Sequence, residues 1–384
     1  MRPSTASNQT KTLKWMLRLF PLMGGYRTKK NILSYFTILS GCLLVFHMFL
    51  DLVLYWDGME TLKRVKFLPG IFLCNIKGIF SILNSIKLIE LVKMLKYFWR
   101  IDIADKPLQD KLMKIQKYIT YISASYIVAC IFLCVAFSLK PFFEEEAIIL
   151  IISDYALCDL RAAWCWWTMF IWQCYAISFQ IAPSTLAVDC IFVIFTGYIY
   201  TACQLFTYGL KELNVEDLTR RRHFLKLAVM QHDVMMTFVS MVDGLFSMVM
   251  LLQFWCCLWS MILFLNMLVS DGFPPKFDDA IFYGIMYLLF VFQITLYSVG
   301  GAIIEDQIRN VSDDIFLVVE WFKKGRTDLR KDLSLMIQRA QNTRVLSAGK
   351  MSELNLALWI VTMKNSLSVF TLIWQLSTTQ EMDD

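Results

Sequence analysis

The chain has 384 residues, 57% of them hydrophobic and only 18% charged, with a formal net charge of +5. Soluble domains carry about a quarter charged residues, and the mean hydropathy of +0.53 points the same way. These values exclude a globular enzyme with a water-facing surface and indicate an integral membrane protein.

The first 31 residues carry Arg2, Lys11, Lys14, Arg18, Arg27, Lys29 and Lys30 and no acid, with no apolar core behind the start. No cleavable signal peptide is expected, so the first span serves as its own signal. Seven apolar runs follow, at about 32–56, 68–92, 118–139, 163–210, 245–269, 280–303 and 353–376. Each reaches the roughly 20 residues that a helix needs to cross the hydrocarbon. None alternates in the manner of a barrel strand.

Lysine and arginine number 28 in segments 1–31, 93–117, 211–244 and 304–352, against 6 in 57–67, 140–162, 270–279 and 377–384. Basic residues mark the cytosolic side. The N-terminus is therefore expected in the cytosol and, after seven crossings, the C-terminus outside. This is the reverse of a G-protein-coupled receptor. The positive charge reflects topology, so no nucleic-acid partner is expected.

The second run contains Asn75, Lys77 and Lys87. Lys87, near the cytosolic end, can snorkel. Lys77 lies deeper, where ligand contact and pairing with an acid such as Asp189 are both open. The fourth run is uncharged from Ala162 to Val188 and again from Cys190 to Leu210. Splitting it at Pro183-Ser184 would turn every later loop over. One helix of 48 residues is expected, kinked at Pro183 and roughly 70 Å long.

Loop 211–244 holds Arg220, Arg221, Arg222 and His223. Segment 304–352 places Ile308, Val311, Ile315, Val318, Val319 and Phe322 at helical spacing. That is an amphipathic helix outside the membrane, which must pack on its own loops or on a neighbouring subunit. The sequons Asn8-Gln9-Thr10 and Asn310-Val311-Ser312 fall on the cytosolic side and are expected to be unused. Cys158 and Cys165 fall in or near the second outer loop, where a disulfide is open.

No catalytic constellation is present. His47, His223 and His232 are not spaced as metal ligands, and there is no HExxH, P-loop or glycine-rich dinucleotide turn. No enzyme activity, metal or cofactor is expected.

In the last run Glu353, Lys364 and Gln375 are eleven residues apart, which returns each to within about 20° of the previous one on a helix. Ser368 and Thr371 fall on the same stripe, and Leu372 and Leu376 border it. A polar stripe on a spanning helix faces water or protein, not lipid. Copies around an axis would line a pore, with the leucines closing it by dewetting. Packing against other spans through hydroxyl hydrogen bonds is the other open reading of the same spacing.

The outer halves of spans 2, 3, 4 and 6 offer Ile71, Cys74, Asn75, Cys130, Cys134, Phe137, Ile177, Ile181, Phe282, Tyr283 and Met286. Apolar, aromatic and sulfur groups with few polar atoms suit a small apolar ligand. Ordinary membrane packing explains the same residues.

The C-terminal third carries a recognisable order of motifs. Leu296-Tyr297-Ser298-Val299-Gly300-Gly301 leads to Glu305-Asp306-Gln307, Asp313-Asp314-Ile315-Phe316 and Trp321. Then come Leu335-Met336-Ile337-Gln338-Arg339-Ala340, Ser347-Ala348-Gly349-Lys350-Met351 and Asn365-Ser366-Leu367-Ser368-Val369-Phe370. Asp189-Cys190-Ile191-Phe192 stands in the fourth span. Together these resemble the insect odorant receptor family, most specifically over 296–376. The related gustatory receptors end in a motif of which only Gln375 survives here. The 34-residue loop 211–244 is too short for the family's co-receptor, which carries a large insertion there.

The resemblance implies an all-α integral membrane protein of seven transmembrane helices, with a cytosolic N-terminus, an extracellular C-terminus and a cytosolic helical anchor domain. It divides the chain into a cytosolic N-terminus (1–31), a four-span bundle with the odorant pocket (32–210), an anchor region (211–352) and a pore-lining span with a short outer tail (353–384). It implies an odorant-tuned subunit of a ligand-gated non-selective cation channel, assembled as a tetramer with the odorant receptor co-receptor. The setting is the lipid of the plasma membrane of olfactory sensory neurons, and the ligand a small volatile. The pocket would take the outer-half residues named above. The gate would fall among Ser368, Thr371, Leu372, Gln375 and Leu376. Competing classes are a G-protein-coupled type of receptor, a gustatory-type channel and a transporter. The last would require an inverted internal repeat.

Overall fold

The structure, a computed structural model, describes residues 32–54, 66–139, 142, 162–176, 182–269, 275, 277–342 and 346–383. Ten α-helices are described: α1 (Ile32–Leu54), α2 (Leu68–Leu83), α3 (Ser85–Met94), α4 (Lys106–Leu139), α5 (Ala163–Tyr175), α6 (Ala182–Leu210), α7 (Leu218–Val269), α8 (Phe277–Val318), α9 (Thr327–Asn342) and α10 (Leu356–Asp383). Two two-residue strands, β1 (Ser347–Ala348) and β2 (Ser352–Glu353), pair antiparallel before α10.

The centre of the bundle is α6. Of its apolar window 83% is buried inside the chain, against 11% for α10. Its Ala187, Val188, Ile191, Phe192, Phe195, Ile199 and Phe206 all belong to the main core, which α2, α7 and α8 complete. α10 is peripheral and packs on α7 and α8 along one side.

The expected single helix 163–210 is described as two, α5 and α6. Ile177 and Ile181 lie between them, outside the described residues. Pro183 occupies the first turn of α6, where its missing N–H costs no hydrogen bond and no kink is needed.

The charged segments expected as loops are largely helix. α7 runs unbroken for 52 residues and α8 for 42, about 78 and 63 Å, roughly twice the hydrocarbon thickness. The charges of 211–244 do not end the helix. Over that stretch α7 still buries Leu225, Ala228, Met235, Met236, Val239 and Val242. On α8, Ile308, Val311 and Ile315 are buried, as is Val319 just beyond it. The amphipathic face expected over 304–322 is thus the lower half of α8 packed on its own chain. Phe322 departs from it, lying past the helix end and 64% exposed.

The step into α10 is clamped. Gly349 (φ +62°) and Lys350 (φ +58°) form the left-handed turn between β1 and β2. Gly349 N donates to Ser247 O at 2.8 Å, Lys350 N to Ser247 Oγ at 3.0 Å and Ser347 N to Asp243 Oδ1 at 2.7 Å. Gly301 on α8 lets the chain pass close. A Cβ there would stand 1.9 Å from the carbonyl oxygen of Leu354. One expectation fails here. Glu353 sits in β2, ahead of α10, so the eleven-residue repeat begins at Lys364.

Cys165 is disulfide-bonded, while nine other cysteines, from Cys42 to Cys257, are free. Cys158 lies outside the described residues.

Two predictions follow from this packing. Gly301→Ala drives a methyl group into backbone that cannot move aside, so stability should fall by about 1–3 kcal/mol, read as a lower melting temperature in detergent. His232 is buried on the lower half of α7 beside Phe206, its ring 5.7 Å away. Burial, reinforced by the Arg339 charge and opposed by Asp233, pushes its imidazole down to about 4. A depressed imidazole stabilises the fold above the ordinary value near 6.5, and that stability is lost as pH falls towards 4. Replacing His232 with Met should remove a pH dependence of up to about 3 kcal/mol over that window; parallel melting curves for both proteins would refute the assignment.

Candidate functional site

The deepest charge of the second span, Lys77, and the one charge of the fourth, Asp189, are brought together by the fold. Lys77 Nζ lies 2.5 Å from Asp189 Oδ1, with both side chains at most 1% exposed. Of the two readings left open for Lys77, pairing is the one realised. Asp189 also accepts from Tyr126 Oη at 2.8 Å and from Tyr297 Oη. The ammonium stands 5.5 Å from the centre of the Tyr297 ring. Gln293 Nε2 donates to Tyr126 Oη at 3.0 Å, and Gln253 Nε2 to Gln293 Oε1 at 2.9 Å. Side chains from α2, α4, α6, α7 and α8 therefore share one buried polar cluster.

Of the expected ligand residues, Cys74, Cys130, Cys134 and Met286 lie about one or two turns along their helices from this cluster. Cys74 bonds Thr185 at 3.0 Å, tying α2 to α6. Ile71 is buried in the main core. Asn75 is buried too, but its Nδ2 donates to Ile71 O at 3.0 Å and Gly41 O at 3.3 Å, so it fastens α2 to α1. Cys130 packs against Tyr126, Ile127, Leu186, Cys190 and Ile194, and Cys134 against the main core. Phe137 is on α4, with its side chain outside the described residues, as Ile177 and Ile181 are entirely.

On α8, Met286 is buried, and Phe282 and Tyr283 are half-buried beside it. They join an aromatic group that sequence reasoning missed. Phe67 lies 5.7 Å from Phe264 and 6.4 Å from Phe282, while Phe264 lies 6.3 Å from Tyr283 and 5.8 Å from Phe290. Lys66 Nζ donates to Tyr283 Oη at 3.0 Å. Phe264 escaped notice because it belongs to the fifth span, outside the set 2, 3, 4 and 6. Its spacing from Phe67 is a tertiary fact with no local trace.

Along α10 the buried residues are Thr362 and Ser366. Lys364, Ser368, Thr371, Leu372 and Gln375 are all exposed. At about 100° per residue, Thr371, Lys364, Gln375 and Ser368 fall within roughly 60° of one another, and Ser366 lies on the far side. Leu376 continues the helix, with its side chain outside the described residues. Lys364 forms no ion pair among the described residues. The helix is held to α8 by Trp359 Nε1, which donates to Thr295 Oγ1 at 2.8 Å. Among the described residues no group of His, Cys, Asp and Glu is placed to hold a metal ion.

The comparisons with known proteins agree with one another. The sequence matches the family model described as "7tm Odorant receptor" over residues 57–367. No curated protein matches it. Among solved structures, the insect olfactory receptor OR5 from Machilis hrabei aligns with a TM-score of 0.81 at 14% identity, covering 96% of this chain and all of that one. Its complex with eugenol aligns with a TM-score of 0.80 at 13% identity over the same shares. At such identity the likeness speaks for the fold, and the family match covers most of the chain. The chain belongs to the seven-transmembrane odorant receptor family, as a multi-pass membrane receptor and not an enzyme.

Proposed function

We propose that this chain is the odorant-tuned subunit of a ligand-gated, non-selective cation channel formed with the odorant receptor co-receptor, in an assembly of four subunits. It crosses the plasma membrane of olfactory sensory neurons seven times, with the N-terminus inside and the C-terminus outside. A small volatile binds among spans 2, 3, 4 and 6 in their outer halves, and α10 lines the pore.

The observation that carries this reading is the stripe on α10. A helix apolar enough to span, with 11% of its apolar window buried in its own chain, exposes Lys364, Ser368, Thr371 and Gln375 along one face. Hydroxyl, amide and ammonium groups are costly against lipid tails. A shared aqueous path between subunits relieves that cost. Packing on this chain's own spans does not account for the stripe, since the opposite face does the packing.

The disulfide at Cys165 supports the orientation, because such bonds persist on the oxidising side of the membrane. The 28-to-6 division of basic residues supports it independently. For the ligand, the apolar and sulfur-bearing surroundings of Met286, Cys130 and Cys134 suit a small volatile, and the related OR5 was solved with eugenol. The volatile opens the pore only to the extent that it binds the open arrangement more tightly than the closed one.

Three measurements test the proposal. Odour-evoked cation current should require both this chain and the co-receptor; current from this chain alone, or a G-protein-dependent response without current, would overturn the obligate-subunit reading. A C-terminal epitope should stain intact cells, and staining only after permeabilisation would remove the topology. Lys364 lies eleven residues inward of Gln375, about 16 Å along the helix. An ammonium facing the path repels cations, so Lys364→Gln should raise single-channel conductance and relative calcium permeability; unchanged permeation would take Lys364 off the pore wall.

A further inference from the structure

The buried cluster around Asp189 has a second property beyond its own satisfaction. On the pocket helices three expected ligand residues, and the Thr185 that bonds one of them, stand about one or two turns to one side of it. Cys74 precedes Lys77 by three residues, its partner Thr185 precedes Asp189 by four, Cys130 follows Tyr126 by four, and Met286 precedes Gln293 by seven. Given the alternating directions of the spans, all four displacements point the same way, outward. The cluster is the floor beneath the proposed pocket.

α8 then carries the connection onward. Gln293 and Tyr297 are four residues apart and face the cluster, bonding Tyr126 and Asp189. Thr295 stands between them in sequence, about 200° around the helix from each. It faces the other way and receives the hydrogen bond from Trp359 of α10 at 2.8 Å. α7, which carries Gln253 of the cluster, also packs on α10; the Thr295–Trp359 hydrogen bond is the polar tie between α8 and α10.

We propose that the Lys77–Asp189 cluster is the transmission element of this subunit. It holds α8 at one rotational setting, and the Thr295–Trp359 hydrogen bond passes a change of that setting to α10. A ligand seated one turn outward presses on Cys74, Cys130 and Met286, which share helices with the cluster's own members. A rigid cluster cannot take up such a displacement locally, so α8 moves as a unit. Lys77, Asp189, Gln293 and Thr295 are positioning residues here, acting on the pore helix through Trp359. The proposal rests on the pocket and pore reading above.

The experiment compares the ratio of maximal evoked to basal current, normalised to surface protein, in cells also expressing the co-receptor. Eugenol is the first probe, followed by a panel of volatile alcohols, esters and ketones. Thr295→Val removes the tie and keeps the shape. Lys77→Met with Asp189→Leu replaces the charge pair by an apolar pair, a change that buried ion pairs often tolerate. Each should lower the ratio about fivefold or more, the lower end of ordinary coupling factors. Combining them should add nothing, because both act on one path. An unchanged ratio in Thr295→Val, or independent multiplication of the two losses, would overturn the proposal.

Hydrogen exchange on the purified protein separates this from the channel reading. Adding the same probe should alter exchange across 356–375 in the wild-type chain and leave it unaltered in Thr295→Val. If that pattern holds while no current flows, the transmission stands and the pore reading falls. If Thr295→Val responds like wild type, the transmission falls whatever the currents show.

Discussion

An ammonium and a carboxylate meet inside the helix bundle, and the rest of the bundle is arranged around that meeting. Lys77 and Asp189 are sealed from solvent. Removing one partner of a buried pair strands the other charge at several kcal/mol, so α2 and α6 are held at one mutual rotation. Tyr126 and Tyr297 then bring α4 and α8 to the same carboxylate. In lipid, apolar packing alone discriminates weakly between helix registers, because the tails are as apolar as leucine. A charge with only one set of partners discriminates strongly.

Smaller versions of the same device recur through the bundle. Trp172 donates to Ser40 at 2.8 Å between α5 and α1, and Gln204 to Gln307 at 2.9 Å between α6 and α8. Thr207 donates to Asp314 at 2.5 Å one turn further along. These helix pairs are joined by polar ties set in an apolar face. Where the end of α6, the start of α7 and the end of α8 meet, the ties become denser. Asn214 accepts from the Glu320 amide at 2.9 Å and from Arg326 at 3.1 Å, while Arg221 reaches Gly325 O and Asp328. These ends and the start of α9 are thereby locked, in contrast to the single-sided attachment of α10.

What could be read from the sequence follows from which properties are local. Length and hydropathy of each run, and the basic bias between them, are local, so the helical class and the approximate positions of the spans were legible. Where a helix stops was less so. Nothing between Leu218 and Val269 breaks a helix, yet charges over 211–244 look like a loop when hydropathy is the guide. Glu353 fell on the projected stripe only by assuming that helix and apolar run begin together. The turn at Gly349 and Lys350 delays the helix by three residues. Whether Lys77 pairs with Asp189 or meets a ligand is open in the sequence, since rotation of one span about another leaves no local trace. Gln253, Gln293 and Tyr126 went unremarked because single polar residues in an apolar run look tolerable. The pattern that marks them is pairing at i, i+4 on one face, as in Gln253 with Cys257 and Gln293 with Tyr297.

The arrangement of α10 carries the argument one step further. About half of its circumference touches its own subunit or borders that contact, with Ser366 and Thr362 at the centre. The other half has apolar flanks, Ile360 and Leu367 on one side and Val361 and Leu372 on the other, with the polar stripe between them. A helix facing only lipid would be apolar throughout that half. A helix buried in a subunit interface would place its polar groups against partners and leave no continuous stripe. Apolar flanks with a polar centre suit a stave among staves. In the proposed channel the flanks would meet the neighbouring helices around an axis, and the stripe would be left to the water they enclose. The same proposal accounts for how little holds α10 to its own chain. A wall that must move to open a path would be best fastened at the clamp ahead of α10 and at Trp359, and left loose elsewhere.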